Sequence, residues 1–465
     1  MVLTAYVLST VAAAPAAQAQ STPLAPLATP VLSLRRVPDA MAMAVAASKL
    51  DVGLDAALAD TQLERSTATT CLVVLAGTLP IYDHNPTLPV LPASNLKLLT
   101  ATAALDKLPA DERFVTTVES DVPPAGGTVA GNLYLVGGGD PLLATPAYVA
   151  SLQYPAQIYD NLDTLADQVK AAGVTKITGS VLGDESRYDT LRGVASWSPS
   201  YLASGEVGPL SALSVNDGFA SFKPSLVGAP QPAEAAAATF TTLLQTDGIT
   251  VSGTPGVGDA PATAAKITDL ASAPLPAELD EILRRSDNDG AELITKELGR
   301  QVANTPTTAA GVAVIQSDLA ADGLPTQGLH MADGSGLDRS DRVTCHLIVA
   351  ALQRSGPSGA IGQGLPVAGQ SGTLFKRMIG TVAAGRLHAK TGTLDGVSAL
   401  SGFVLPASPA AAASATTAGA TTLTFSLISN SVLGDAAGDA LGNRVGVLLA
   451  QFPQAPPIAQ LAPLP

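Results

Sequence analysis

The sequence has few cysteines and histidines and no strongly basic stretch, and these shortages exclude several classes of function. Its 465 residues include two cysteines and four histidines. Because their spacing does not match the ligand patterns of zinc sites, we expect no metal and no cofactor. The formal net charge is −14 at pH 7. Nucleic-acid binding depends on clustered positive charge, so no nucleic-acid partner is expected.

The two cysteines, Cys71 and Cys345, lie far apart in the sequence. In an exported protein they could form a disulfide, because oxidising compartments allow such bonds to persist. Two buried free thiols are equally compatible with the sequence. The redox state of this pair is therefore left open.

Long hydrophobic runs are absent outside the N-terminus. Residues 1–19 predict an export signal, because Val2 to Val11 is mostly apolar and Ala17-Gln18-Ala19 fits a small-x-small cleavage site. The usual positively charged region is missing. A membrane anchor is the alternative. However, the run is shorter than the roughly 20 residues needed to span a bilayer, and Pro15 breaks it.

The remaining composition is typical of a large folded protein. Hydrophobic residues make up 46% of the chain and charged residues 14%, which favours a globular fold over disorder. The chain is long enough for two or three domains. Helices are predicted over 40–65 and Asn95–Leu108, with a strand at Cys71–Ala76 between them.

The pattern of residues along the sequence changes twice. From 113 to 270, short β-rich runs alternate with Gly and Pro turns around one predicted helix at 159–172. These runs are Val115–Glu119, Gly131–Val136, Ile177–Leu182 and Phe219–Pro224. After residue 275 the pattern is helical again, and three strands and a last helix follow from Arg386 onward. The predicted helices and strands of this part are Ala291–Ala303, Ala309–Asp322, 342–354, Arg386–Gly392, Gly396–Leu405, Thr421–Asn430 and Asp435–Phe452.

This pattern predicts a catalytic domain made from both flanks of the 113–270 block, which separates the first two motifs described below. The predicted organisation is a signal peptide at 1–19, a linker at 20–39, a catalytic domain formed by 40–112 and 271–455, an inserted β-rich domain at 113–270, and a Pro-rich tail at 456–465.

The first motif is Ser94-Asn95-Leu96-Lys97 at the start of a predicted helix. Residues three apart on a helix share a face, so Ser94 and Lys97 can meet. A serine hydroxyl needs a neighbouring base to become a nucleophile. Lys97 can serve as that base if burial or a second cation lowers its pKa, and Lys390 is our candidate for that cation. A helix cap beside a solvated lysine is the alternative.

The second motif is Ser286-Asp287-Asn288, directly before a helical run. Ser286 can relay a proton to a leaving amine, and Asn288 can hydrogen-bond Lys97 or a substrate amide. All three residue types are also favoured at helix N-caps, so a capping role is the alternative.

The third motif is Lys390-Thr391-Gly392-Thr393, on a predicted strand that leads into Leu394. An edge strand can pair with an extended peptide. Lys390 and the two threonine hydroxyls would hold a terminal carboxylate, Gly392 would allow close backbone approach, and the Thr393 N–H would bind an oxyanion. A solvated lysine on a surface strand is the alternative.

Each motif alone is common, but the three together supply a nucleophile, a base, a proton relay, an amide and an anion-binding lysine. Their order and predicted contexts (helix start, turn, strand) favour acyl transfer through a covalent serine ester. We predict Ser94, Lys97, Ser286, Asn288 and Lys390 as the catalytic residues. We predict Thr391, Gly392, Thr393 and Leu394 as oxyanion-binding and substrate-binding residues.

At these residues the chain resembles the penicillin-recognising serine enzymes. Three further strings narrow the resemblance to the D-alanyl-D-alanine carboxypeptidase/endopeptidase family, the class C low-molecular-mass penicillin-binding proteins. They are Gly137-Gly138-Gly139-Asp140-Pro141, the segment from Gly208 to Asp217, and Asp333-Gly334-Ser335-Gly336-Leu337. The resemblance runs from about residue 40 to 453.

The resemblance implies an α/β (α+β) fold. A β-lactamase/transpeptidase-like domain, with an antiparallel sheet flanked by helices, would carry a long insertion between its first two motifs. It also implies a pocket for a diaminopimelate side chain, and Asp184 and Arg339 match positions associated with that pocket. An acidic and a basic residue together suit a zwitterionic group. The insertion is shorter here than is usual for the family, which puts the geometry of this pocket in question.

The resemblance further implies a serine-type DD-peptidase of a bacterial periplasm or cell wall. Peptidoglycan stem peptides would be its substrates and β-lactams its covalent inhibitors, and peripheral membrane or wall association is left open. One alternative is a β-lactamase, but the Glu-x-x-Leu-Asn loop of class A enzymes does not occur between Asn288 and Lys390. The other is a penicillin-sensing or wall-binding module without turnover.

Overall fold

The computed structural model describes residues 37–407 and 421–453. The predicted signal segment 1–19 and tail 456–465 lie outside the described residues, as does most of the linker 20–39. The described helices are α1 Val37–Leu58, α2 Lys97–Lys107, α3 Pro146–Val149, α4 Leu162–Ala171, α5 Pro199–Ser204, α6 Pro232–Thr246, α7 Leu275–Arg285, α8 Asn288–Ala303, α9 Thr308–Ala321, α10 Cys345–Ser355, α11 Ala360–Gly364 and α12 Asp435–Gln451.

The described ranges also contain seventeen strands. They are β1 Thr70–Ala76, β2 Leu79–His84, β3 Val115–Ser120, β4 Thr128–Val129, β5 Leu133–Val136, β6 Leu143–Ala144, β7 Asp160–Asn161, β8 Lys176–Ile177, β9 Val181–Asp184, β10 Phe219–Ser221, β11 Val227–Gly228, β12 Thr250–Val251, β13 Gly256–Val257, β14 Ala265–Ala271, β15 Leu387–Leu394, β16 Val397–Val404 and β17 Leu423–Ser429.

A five-stranded antiparallel sheet joins the two ends of the chain, in the order β15-β16-β17-β1-β2. Helices α2, α7, α8, α9 and α10 bury their apolar side chains in one core, to which β1 and β16 contribute from the sheet. Helices α1 and α12 form a second core with the same sheet. The result is a helix–sheet–helix sandwich, which confirms the predicted antiparallel sheet flanked by helices.

The middle of the chain builds its own sheets. A mixed five-stranded sheet has the order β13-β9-β5-β3-β14, and a small parallel sheet has the order β12-β8-β4. Helices α4 and α6 pack on these strands around a separate apolar core. The chain therefore contains two sheet systems, while the domain boundaries at 113 and 270 stay a prediction.

Two local expectations for the middle segment were wrong. The one helix predicted in this segment, at 159–172, is confirmed as α4, but the stretch from 113 to 270, which is fully described, also contains α3, α5 and α6. The longest, Pro232–Thr246, has proline in its first turn followed by an alanine-rich run, both of which favour helix over strand. The predicted strand Ile177–Leu182 is split between two sheets, because the chain turns at Gly179, where the backbone of Gly131 comes too close for a side chain.

Cys71 and Cys345 form a disulfide, which the sequence had left open. Both residues are fully buried, one on β1 and the other at the first position of α10. The bond therefore links the central sheet to a helix packed on it, across 274 positions of sequence.

Among the described residues, no helix combines the length and the apolar character needed to cross a membrane.

The disulfide generates a prediction about stability. Cross-linking residues so far apart removes much conformational entropy from the unfolded chain, so reduction is expected to lower the free energy of unfolding by about 2–5 kcal/mol. The measurement is urea unfolding of the oxidised protein with and without a reductant. The Cys71→Ala/Cys345→Ala double variant is the control, since a reductant should not change its stability. Equal stability of the oxidised and reduced wild-type protein would contradict the prediction.

Candidate active site

Ser94 lies in a short 3₁₀ turn, Ala93–Leu96, that leads directly into α2. The α-helix begins at Lys97, slightly later than predicted, so Ser94 still precedes the positive end of the helix. Its neighbours Asn95, Leu96 and Lys97 are buried, whereas Ser94 itself is partly exposed. The turn thus presents one hydroxyl to solvent from an otherwise buried segment.

Lys97 is held by three oxygen atoms from three separate segments. Its Nζ donates to Ser94 Oγ at 3.1 Å, to Asn288 Oδ1 at 2.5 Å and to the carbonyl oxygen of Ser335 at 2.7 Å. The side chain is 1% exposed. The ammonium group is therefore fixed beside the Ser94 hydroxyl.

The environment of Lys97 makes its ammonium group easier to deprotonate than that of a solvated lysine. Burial lowers the pKa of Lys97 from 10.5 to about 8, even though nearby carboxylates act in the opposite direction. The main cause is desolvation, which is the first of the two causes that the sequence suggested; a second cation was the other. For Lys390, burial and the charge of Lys97 together lower the pKa well below its usual value. The charge of Lys97 therefore disfavours the charged form of Lys390.

Ser286 contacts the second lysine. Lys390 Nζ donates to Ser286 Oγ at 2.7 Å and to the carbonyl oxygen of Thr391 at 2.8 Å. Ser286 ends α7 in the left-handed conformation, with φ 62°. This turn directs the chain from α7 into α8 and brings the serine to the lysine on β15.

Asn288 and Asp287 divide the expected roles between them. Asn288 accepts the hydrogen bond from Lys97 and donates through Nδ2 to the carbonyl oxygen of Glu206 at 2.6 Å. Asp287 is the N-cap of α8, since its carboxylate accepts from the N–H of Gly290 at 3.0 Å. The predicted hydrogen bond between Asn288 and Lys97 and the alternative capping role therefore both occur, on different residues, while the proton relay by Ser286 stays a prediction.

Strand β15 forms one edge of the central sheet and carries the third motif. Thr391 Oγ1 lies 2.7 Å from Thr373 Oγ1, a contact that the sequence did not indicate. At Gly392 a side chain would meet the carbonyl oxygen of Pro92 at 3.0 Å, so the strand lies close to the segment that leads to Ser94. Thr393 is exposed on the same strand.

The loop Asp333–Gly336 supplies the Ser335 carbonyl oxygen that accepts from Lys97. In the sequence, this loop resembles a family string, and no catalytic role is predicted for it. Glu292 accepts from the N–H groups of Gly334 at 2.9 Å and Ser335 at 2.8 Å. Gly336 has φ 85°, and a side chain there would lie 2.0 Å from the carbonyl oxygen of Ala93. This loop therefore positions both the Ser335 carbonyl and the turn that carries Ser94.

The middle segment of the chain supplies the opposite wall. The N–H of Gly208 donates to both oxygens of Asp289 at 3.0 Å, which fixes the segment from Gly208 to Asp217 against α8. Tyr148 donates to Asp217 at 2.5 Å, and Arg285 lies 3.6 Å from the same carboxylate. Burial and Asp287 raise the pKa of Asp217 to about 7.

A cavity of about 440 Å³ lies between these walls. It is lined by residues of all three motifs, namely Ser94, Ser286, Asn288, Thr391, Gly392 and Thr393. Tyr148, Tyr154 and Glu206 line it from the middle segment, and Leu337 and Arg377 from the C-terminal part of the chain. Lys97 and Lys390 lie buried behind this surface.

Besides the two buried lysines, three sequence-predicted residues are not among those that line the cavity. Asp184 is buried, and its carboxylate accepts from the N–H groups of Ser186 and Ala260, both at 2.8 Å. Arg339 is exposed and donates to the carbonyl oxygen of Asp395 at 3.3 Å. A pocket formed by Asp184 and Arg339 therefore stays a prediction that these contacts do not support. Leu394 packs in apolar clusters with its neighbours.

One acidic trio, Asp217, Asp287 and Asp289, lies beside the second motif with geometry that suits a metal ion. Its oxygens already accept from Tyr148, Gly290 and Gly208 and lie near Arg285. These contacts explain the trio without a metal ion: its carboxylates hold the middle segment against α8.

Three comparisons relate the chain to known proteins. A family model described as D-Ala-D-Ala carboxypeptidase 3 (S13) matches residues 50–225 and 220–452. A D-alanyl-D-alanine carboxypeptidase from an Actinomadura species is 31% identical, over 77% of this chain and 78% of that protein. Carboxypeptidase DacB from Mycolicibacterium smegmatis is 30% identical, over 75% of this chain and 73% of that protein.

Among solved structures, the chain is similar to penicillin binding protein 4 from Haemophilus influenzae. The TM-score is 0.68 at 20% identity, and the match covers 86% of this chain and 97% of that one. A structure of the same protein in complex with a β-lactam gives a TM-score of 0.60, also at 20% identity, over 81% and 94% of the two chains. At this identity the likeness shows the fold, and it confirms the predicted fold class.

The close approach at Gly336 generates a prediction. Gly336→Ala is expected to lower the free energy of unfolding by about 3 kcal/mol. The new methyl group would collide with the carbonyl oxygen of Ala93, and the alanine backbone would also have to adopt a left-handed conformation. Gly380→Ala is the matched control, because Gly380 has φ 73° with open space around it. Its cost is expected to be about 1 kcal/mol.

Urea unfolding measures both costs, and Trp197 fluorescence reports locally on the loop. Trp197 is the one tryptophan in the chain, and its Nε1 donates to Asp333 at 2.8 Å. Emission should shift in Gly336→Ala and not in Gly380→Ala. Similar costs and spectra for both variants would show that the loop does not support the Ser94 turn.

Proposed function

The chain belongs to the D-Ala-D-Ala carboxypeptidase 3 (S13) family, and from that premise we propose how its residues carry out the reaction. It is a serine-type DD-peptidase and a penicillin-binding enzyme. The proposed substrates are peptidoglycan stem peptides that end in D-alanyl-D-alanine. The observation that carries the proposal is the buried Lys97 amine, 3.1 Å from Ser94 Oγ and with a lowered pKa.

In the proposed first step, neutral Lys97 takes the hydroxyl proton of Ser94. Ser94 Oγ attacks the carbonyl carbon of the penultimate D-alanine and forms a tetrahedral intermediate. The backbone N–H groups of Ser94 and Thr393 would hold the oxyanion. Asn288 acts as a positioning residue, because both ends of its amide are engaged, with Lys97 and with the Glu206 carbonyl.

In the second step, the C–N bond breaks and terminal D-alanine leaves as an amine. Ser286 is placed to pass a proton to the leaving nitrogen. Its oxygen accepts from Lys390, so its own hydroxyl proton can be donated. Ser286 would take a proton from Lys390 in turn. Water then attacks the ester carbonyl and gives its proton to Lys390, and the C–O bond to Ser94 breaks as Lys97 returns its proton to Ser94 Oγ. A β-lactam would acylate Ser94 by the same first step.

Substrate binding is assigned to strand β15. Lys390, Thr391 and Thr393 would bind the terminal carboxylate, and the free edge of the strand would pair with the extended peptide. Thr373 would orient the Thr391 hydroxyl through their 2.7 Å contact. We propose removal of terminal D-alanine as the primary activity and cleavage of D-alanyl-diaminopimelate cross-links as the second.

The proposed location follows from the substrate. Residues 1–19 would direct export, and the enzyme would act in the periplasm or cell wall, with peripheral membrane or wall association as a further element of the proposal. We also propose the division into a catalytic domain, 40–112 with 271–455, and an insertion at 113–270. This division is supported by the two separate sheet systems.

The assignment of Ser94 is tested by mass spectrometry after incubation with penicillin. One adduct on the peptide that contains Ser94 is expected, together with release of D-alanine from a synthetic pentapeptide. Ser94→Ala should lose both, whereas Ser358→Ala, an exposed serine, should retain both. An adduct on another serine would refute the assignment. Labelling without D-alanine release would favour the sensing module, and rapid nitrocefin turnover a β-lactamase.

The role of Lys97 predicts a pH dependence. With a pKa of about 8, the neutral fraction of Lys97 increases as the pH rises through that value. The rate of Ser94 acylation should therefore increase roughly tenfold between pH 7 and 9 and then level off. Lys97→Arg, which keeps the positive charge but cannot lose its proton, should lower the rate by about 10²-fold or more and abolish the dependence. A flat profile in the wild-type enzyme would exclude Lys97 as the base.

A further inference from the structure

Three carboxyl groups that the proposed reaction does not use meet inside the protein, between the middle segment and α7. Asp140 follows the glycine string after β5, Asp160 begins β7, and Glu278 lies in the first turn of α7. One oxygen from each side chain lies within 4.8 Å of the corresponding oxygens of the other two. We call these three residues the junction trio.

The junction trio is buried and poorly supplied with hydrogen-bond donors. Glu278 is 0% exposed, Asp140 is 2% exposed and Asp160 is half-buried. Among the described residues, neither oxygen of Glu278 has a hydrogen-bond partner, and Oδ2 of Asp140 and of Asp160 also lacks one. Buried carboxylate oxygens without partners cost free energy unless a positive charge or a proton satisfies them.

The charges that face the junction trio do not balance it. Arg113 is the cation whose charge acts on Asp160, and its guanidinium donates to the carbonyl oxygen of Ser272 at 2.5 Å. The N–H of Ala273 is near both Asp160 and Glu278 without reaching normal hydrogen-bond geometry. The N–H of Leu142 donates to Oδ1 of Asp140 at 2.9 Å, and the N–H of Leu143 also acts on this carboxyl group. One guanidinium and three backbone amides thus face three acidic groups, and the guanidinium is the only cation among these four.

We propose that the junction trio binds a divalent cation, with Ca²⁺ as the preferred ion. Carboxylate oxygens are the ligands that Ca²⁺ prefers, at about 2.3–2.6 Å, so two ligands on opposite sides of the ion are separated by about 4.8 Å. The spacing of the trio fits within this limit. Mg²⁺ requires shorter, octahedral coordination and retains several waters, which suits a buried trio less well.

The proposed ion is structural. Glu278 and Ser286 lie at opposite ends of α7, and one turn beyond Glu278 the carboxylate of Glu281 accepts from the N–H of Gln157 at 3.2 Å. An ion shared with Asp140 and Asp160 would therefore fasten the middle segment to the helix that carries Ser286. The inference is independent of the assigned reaction, because none of the three residues lines the cavity at Ser94.

The first experiment uses the full chain without substitution. Protein stripped with EDTA and desalted is titrated with CaCl₂ or MgCl₂ at pH 7.5 while its thermal unfolding is followed. Ca²⁺ at about 100 times its dissociation constant should raise the melting temperature by roughly 3 °C, with a smaller response to Mg²⁺. Elemental analysis after desalting should find one Ca²⁺ per chain. No binding and no shift at millimolar Ca²⁺ would overturn the proposal.

The second experiment locates the site. Glu278→Gln should remove the Ca²⁺-dependent shift and lower the bound Ca²⁺ to background. The matched control is Asp322→Asn, an exposed member of another acidic trio, in which Arg354 pairs with Asp106 and Asp322. This control should keep the wild-type response. A Ca²⁺ response unchanged in Glu278→Gln would place the ion elsewhere and refute the assignment.

Protonation is the competing way to neutralise the junction trio, because burial and the neighbouring carboxyl groups raise the pKa of Glu278 well above its usual value. If protons serve this purpose, stability should rise on acidification, remain indifferent to Ca²⁺, and be preserved in Glu278→Gln. That combination of results would also overturn the cation proposal. If the variant does not fold, the titration of the wild-type protein decides the question.

Discussion

The active site depends on the burial of one ammonium group. Lys97 is almost fully removed from solvent, and this desolvation lowers its pKa to about 8, which suits it to the proposed role of base. Such burial is tolerated because three oxygens, from Ser94, Asn288 and the Ser335 backbone, satisfy the amine. Each oxygen lies on a different segment, so much of the surrounding structure serves to bring three distant parts of the chain to one nitrogen.

The two sheet systems contribute to the site in different ways. The central sheet and its helices carry Ser94, Ser286 and β15, which are the parts assigned to chemistry. The middle segment contributes backbone hydrogen bonds and one wall of the cavity. The Glu206 carbonyl orients Asn288, and the N–H of Gly208 donates to the carboxylate of Asp289. The middle segment therefore completes the cavity and also helps to hold Lys97 in position through Asn288, although it carries none of the three motifs.

The sequence was informative where the signal was local. Spacing of three residues was enough to place Ser94 and Lys97 together, and apolar and turn patterns located α2, α8 and β15 to within a few residues. The sequence was misleading where helix-like and strand-like patterns alternate over short distances. The alanine-rich helix α6 was missed among β-rich runs, and the strand around Gly179 was split by a backbone contact with Gly131 that no local pattern reveals.

By itself, the sequence determined which chemical groups the protein has and in what order, because motifs and their helix or strand context are written in short stretches of chain. The tertiary structure alone decided which groups meet. The Cys71–Cys345 bond, the Ser335 carbonyl on Lys97 and the Thr373–Thr391 contact join residues far apart or atoms common to every residue. Such contacts arise from packing of whole elements, and packing depends on the three-dimensional path of the chain, which short-range patterns do not encode.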